Sequence, residues 1–191
     1  MAKLSLWLSP PPGSPLEVLL HKLSSTYDTP KFDPHTTLVS DEIIPPSIPL
    51  DTLVEAIKTG IESWKMRESK EEWELRFKDV EIGAKFFQCI YITLFKTAIL
   101  QSLHESILKA LDLSVPSPAT YFPHLSLVYG NLNSQFKEKI LDQLEKEEIH
   151  RSNDGVQVAS LQNYKPTEVL VVSTDADIDS WKVLSRIPLL L

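Results

Sequence analysis

One short stretch occurs twice in this chain, and it constrains the fold more than any other feature. Phe32-Asp33-Pro34-His35-Thr36-Thr37-Leu38-Val39 and Tyr121-Phe122-Pro123-His124-Leu125-Ser126-Leu127-Val128 agree in Pro, His, hydroxyl, Leu and Val. One His-x-Thr/Ser among five histidines would carry little weight. Two that share their flanks read as an internal repeat, and so as two copies of one structural unit. Each copy is short, β-branched or apolar, and bounded by proline or glycine, which predicts a strand. Residues two apart on a strand point to the same face. His35 would then stand beside Thr37 and His124 beside Ser126, with Leu38 and Leu127 turned to the core.

The segments around the repeat mix the two periods. Residues 4–8 alternate and stop at Pro10-Pro11-Pro12-Gly13, which predicts a first strand. Ser14-Pro15-Leu16-Glu17 has the form of a capping box with Pro at the first helical position, in a run with Leu16, Val18, Leu19, Leu20 and Leu23. Helical spacing recurs over residues 51–65, in Ile99, Leu100, Leu103, Ile107, Leu108 and Leu111, and over 134–148. Pro116 and Pro118 stand beyond the third helix. Strands are predicted around Trp73, Leu75 and Phe77, over 86–95, 124–129, 156–161 and 168–174, with a last one within 179–187. The first two of these would form a hairpin across residues 79–85. Strands and helices that do not alternate strictly predict an α+β fold, helices covering largely antiparallel sheets. Over 191 residues one compact domain is the expectation.

Net charge is −7, so a polyanion such as long RNA is repelled by the surface as a whole, and a small substrate fits better. Cys89 is the single cysteine and lies in an apolar run, as a buried inert thiol would. The apolar part of the N-terminus is too short for a signal peptide, and no stretch approaches the ~20 apolar residues of a membrane span. A cytoplasmic protein and a monomer are the default expectations. No pair of histidines has zinc-motif spacing, so no metal or cofactor is expected. His21, His104 and His150 are expected on helix surfaces or ends, and Lys65 to Glu81 as a solvated charged face. Arg76, Lys96 and Lys165 are possible phosphate cations that the sequence does not place.

Two imidazoles and two hydroxyls in one cleft suit the cleavage of a cyclic phosphodiester. A neutral imidazole can take a proton from the attacking water, and an imidazolium can protonate the leaving ribose oxygen. Hydroxyls can donate to the non-bridging phosphate oxygens as charge gathers there. The paired motifs resemble those of the 2H phosphoesterase superfamily, and the size, the early Trp7 and Tyr129 resemble its plant and fungal cyclic phosphodiesterases. That resemblance implies a bilobal, pseudo-symmetric fold with antiparallel sheets facing a central cleft and helices outside. It implies His35 and His124 as the catalytic pair, with His124 activating water and His35 as the acid, and Thr37 and Ser126 as phosphate-binding groups. Trp7 and Tyr129 would line the pocket. The implied reactions open ADP-ribose 1″,2″-cyclic phosphate to the 1″-phosphate, downstream of tRNA splicing, and nucleoside 2′,3′-cyclic phosphates to 2′-phosphates. Competing readings are an RNA-processing relative, either 2′-5′ RNA ligase-like or a 3′-end exonuclease, and a nucleotide-binding module without turnover.

Overall fold

The structure is a computed structural model and describes residues 3–67, 73–115, 117, 120–175 and 177–189. Along the chain run β1 (Leu4–Leu8), α1 (Pro15–Tyr27), β2 (Thr36–Val39), α2 (Leu50–Arg67), β3 (Leu75–Ile82), β4 (Ile90–Leu94) and α3 (Ala98–Ala110). There follow β5 (His124–Val128), α4 (Ser134–Glu147), β6 (Ile149–Ser152), β7 (Gly155–Val158), β8 (Asn163–Tyr164), β9 (Glu168–Ser173) and β10 (Lys182–Pro188). This is the α+β class that the mixed periodicity predicts. Pro116 and Pro118, and residues 68–72 of the charged stretch, lie outside the described residues.

Eight strands form one curled antiparallel sheet in the order β10-β9-β1-β2-β5-β4-β3-β8, and β6 pairs with β7 apart from it. The order is symmetric about its centre. β2 and β5, which carry the repeat, are innermost, β1 and β4 flank them, and β9 and β3 come next. Each half enters through a β-α-β unit, β1-α1-β2 or β4-α3-β5, so the repeat marks two copies of one unit. The halves meet through one recorded pairing, Thr36↔Leu125. The two lobes implied at sequence level are thus halves of one continuous sheet.

The helices bury Leu16, Leu19, Leu20 and Leu23 of α1, Leu53, Ile57, Ile61 and Trp64 of α2, and Leu100, Leu103 and Ile107 of α3, as their spacing predicts, while Val18 of α1 falls on the outer face and is exposed. Gly60 lets α2 and α3 touch, because a Cβ there would lie 2.9 Å from Ile107 Cα. Cys89 is fully buried, and burial pushes its thiol pKa up.

Four expectations change. The capping box does not form: Glu17 accepts at 2.8 Å from the N–H of Gly13, one residue before the N-cap, Ser14 N–H goes to the Pro11 carbonyl, and the Ser14 hydroxyl is buried without a partner. The segment from residue 86 does not start as strand, since Phe86–Gln88 is a 3-10 turn and β4 begins at Ile90. β3 continues to Ile82, so the hairpin connection begins at Gly83, where a Cβ would lie 2.1 Å from the Gln88 carbonyl oxygen. His104 is 3% exposed rather than on a surface. It stacks on Tyr121 at 4.1 Å, and its Nδ1 lies 2.7 Å from the Leu38 carbonyl, so α3 braces β2 from behind.

A second brace lies under β2. The buried Tyr164 hydroxyl is 3.0 Å from the Leu8 carbonyl and 2.7 Å from Thr36 Oγ1. The phenol has one proton, so both contacts are satisfied when it donates to Leu8 and accepts from Thr36. Tyr164→Phe leaves both partners buried without it, and urea unfolding should register a loss of about 1–3 kcal/mol.

Candidate active site

The seam between β2 and β5 carries both copies of the repeat. His35 stands immediately before β2, and His124 opens β5. An antiparallel register through Thr36↔Leu125 sets His35 across from Ser126 and Thr37 across from His124. Each imidazole therefore neighbours the hydroxyl of the other copy as well as its own. The intervening Thr36, Leu38, Leu125 and Leu127 are buried on the opposite face.

Both imidazoles are held by the same device. His35 Nδ1 lies 2.7 Å from the Asp33 carbonyl and His124 Nδ1 lies 2.9 Å from the Phe122 carbonyl. In the neutral ring Nδ1–H donates to that carbonyl, which leaves the Nε2 lone pair for the cleft. Pro34 and Pro123 hold the residue before each of them extended, and that residue supplies the carbonyl. The proline of the repeat thus has a local task in setting the tautomer.

The two environments then diverge. His35 is 7% exposed and lies flat on Trp7, with ring centroids 3.5 Å apart and planes 6° apart. Its Nε2 is 3.4 Å from the Tyr129 hydroxyl, which donates to it. Burial pushes the His35 pKa down to about 4, against the opposing pull of the Asp33 carbonyl and with a small further push from His124. Burial also lowers the pKa of His124; the Phe122 carbonyl opposes this and the Lys85 charge adds to it. Its Nε2 lies 3.4 Å from the Gln88 amide. Tyr129 is buried and stacks on Phe32 at 3.7 Å; burial raises its pKa, so the phenol keeps its proton.

The hydroxyls differ as well. Thr37 has no side-chain partner among the described residues and lines the cleft. Ser126 Oγ donates to the Phe87 carbonyl at 2.7 Å, so it must turn before it can donate to a phosphate.

All six expected residues, His35, Thr37, His124, Ser126, Trp7 and Tyr129, line one cavity of about 500 Å³. Trp7 serves as the floor under His35, and its indole N–H donates to Ser5 Oγ at 3.0 Å. Arg76, Lys96 and Lys165 do not line it. Lys96 donates to the Tyr121 carbonyl, and Arg76 sits over the Phe95 ring. The cavity also has Lys85, Phe87 and Gln88 from the β3–β4 connection, Trp181 from the segment before β10, and Asp41, Glu42 and Asp175 where β2 and β9 end. The exposed Phe87 and the Trp181 ring lie 5.8 Å apart, forming an aromatic wall. None of these carries a motif, and only the folded sheet brings them together.

Among the described residues, no group of three or more His, Cys, Asp or Glu could hold a metal ion. No described helix is long and apolar enough to cross a membrane.

Solved structures share this fold at low identity. A phosphoesterase aligns over 100% of this chain and 99% of its own at 12% identity and a TM-score of 0.54. E. coli LigT complexed with 3′-AMP aligns over 100% and 99%, with 11% identity and a TM-score of 0.54. A conserved protein of unknown function from Agrobacterium tumefaciens aligns over 98% and 85%, with 12% identity and a TM-score of 0.57. No curated protein matches this chain in sequence. The fold and the family match place the chain among the 2H phosphoesterases. Within that class the chain belongs to the family described as cyclic phosphodiesterase-like protein, whose model matches residues 1–189.

Proposed function

We propose that this protein hydrolyses cyclic phosphates of nucleotides, opening nucleoside 2′,3′-cyclic phosphates to 2′-phosphates and ADP-ribose 1″,2″-cyclic phosphate to the 1″-phosphate. The observation that carries this reading is the convergence of both His-hydroxyl pairs in one nucleotide-sized cavity with an aromatic wall. LigT has been crystallised with phosphate, with 3′-AMP and with NADP+, and a small nucleotide suits a cavity of this size. Asp41, Glu42 and Asp175 at one end disfavour a long polyanionic track, which an RNA-processing reading would need.

In the proposed reaction the phosphate sits over the seam, with Thr37 and, once turned, Ser126 donating to its non-bridging oxygens. The deeper burial of His35, flat on Trp7, favours a division of roles opposite to the one the family resemblance implies. His35, buried on Trp7, is neutral at pH 7 and, once the Tyr129 hydroxyl turns away from Nε2, takes the proton of the attacking water there. The water oxygen bonds to phosphorus, and the bond to the ribose 3′-oxygen breaks. His124, on the more open side of the seam, gives its Nε2 proton to that oxygen. Exchange with solvent then returns both imidazoles to their starting states.

The purified protein, with chelator present, should convert a nucleoside 2′,3′-cyclic phosphate to the 2′-phosphate and the ADP-ribose compound to its 1″-phosphate, as read by phosphorus NMR. A 3′-phosphate product would contradict the assigned bond cleavage. Loss of turnover on adding chelator would contradict the metal-free route.

A further inference from the structure

The connection between β3 and β4 is anchored to β5 and the turn just beyond it at three successive residues. The Phe86 carbonyl accepts from Gly130 N–H at 3.0 Å, the Phe87 carbonyl accepts from Ser126 Oγ at 2.7 Å, and the Gln88 side chain meets His124 Nε2 at 3.4 Å. Its two ends are tied by Gly83 N–H to the Cys89 carbonyl at 3.1 Å, and the buried Lys137 donates to the Gly83 carbonyl at 2.7 Å. A side chain at Gly83 would collide with the Gln88 carbonyl, so the tight path of this loop depends on glycine. The arm is therefore a fixed support rather than a free loop, and it presents one neutral amide to one imidazole.

We infer that Gln88 is the positioning residue of His124, an amide that supports the imidazole in both of its protonation states. The inference rests on the reading of His124 as a proton-transfer group. With Nδ1–H committed to the Phe122 carbonyl, neutral His124 offers a lone pair at Nε2, to which the Gln88 amide N–H donates. Protonated His124 offers N–H there instead, and the same amide turned over accepts it through Oε1. A carboxylate could serve only the charged state and an ammonium only the neutral one. A neutral amide serves each without fixing the proton. The other groups facing His124 are Lys85, whose charge opposes protonation, the Tyr91 and Phe122 rings, and His35 across the seam. Tyr91 donates its hydroxyl to Glu81, so that carboxylate is already engaged by the phenol.

Two substitutions test this with readouts that a purely structural role would leave unmoved. In Gln88→Glu a carboxylate faces Nε2, and imidazole NMR titration of the free protein should show the His124 pKa raised by about one unit or more, with His35 moving less. The high-pH limb of the kcat profile should rise with it. In Gln88→Met, similar in length but without the amide, kcat should fall about tenfold, the loss of one hydrogen bond to an ionised group. KM should stay within about twofold and the thermal melt should not move. An unshifted His124 titration in Gln88→Glu together with unchanged kcat in Gln88→Met would overturn the assignment. The titration needs no substrate, so a wrong substrate would leave that arm of the test intact.

Discussion

His35→Ala and His124→Ala should each lower kcat on a nucleoside 2′,3′-cyclic phosphate by about 10²–10⁴-fold, the usual loss of a positioned acid or base. The informative result is where they part. With a p-nitrophenyl phosphodiester the leaving group departs as a stable anion and needs no proton. A variant lacking the acid should then recover most of its loss, while one lacking the base should not. Under the division proposed from the two environments, His124→Ala recovers and His35→Ala stays impaired. The reverse pattern would restore the division that the family resemblance implies, with Trp7 stabilising an imidazolium rather than a neutral ring. Near-normal turnover by both variants on the cyclic substrate, with unchanged melts, would reduce the repeat to architecture.

That contrast is worth making because the two copies are alike in sequence and unlike in surroundings. Pro, His, hydroxyl and Leu lie within five residues, and the strand period alone puts the chemistry on one face and the leucines on the other. This much was legible in the sequence, as were the helical faces, which depend on local spacing. The distinction between the copies was not. It comes from Trp7 on β1 and Tyr129 beyond β5 closing over His35, and from Lys85 and Gln88 approaching His124. Those partners lie 28, 94, 39 and 36 residues from the histidines they serve, beyond any local period. Trp181 and Phe87 escaped for the same reason. His104 was misplaced because a histidine at a helical position has no sequence signal for a carbonyl on another element, here that of Leu38. The hairpin connection lies later than expected because Phe86 and Phe87 are apolar like the strand that follows, while Gly83 lets the chain close a tight loop there.

The depressed His35 pKa also makes the stability of the fold depend on pH, in a window set by that residue. Unfolded, His35 has the ordinary value of 6.5, and folded it is lowered to about 4. Between these values the unfolded chain binds a proton that the folded chain refuses, and stability rises with pH wherever the unfolded state binds more protons. The contribution is therefore fully present above pH 6.5 and is lost as pH falls toward 4, a difference of about 3 kcal/mol at 1.36 kcal/mol per pKa unit. His104 and His124 are shifted in the same direction by burial, and they steepen the slope rather than reverse it. Carboxylates lose their ion pairs mostly below this window. Urea unfolding from pH 7.5 to 4.5 should show the decline, and His35→Gln, which cannot titrate, should flatten it by most of that amount. Equal slopes in the two proteins would mean that burial on Trp7 does not hold His35 neutral, and the case for His35 as the base would fall with it. The burial that weakens the fold in acid is what keeps the His35 imidazole neutral well below pH 6.5.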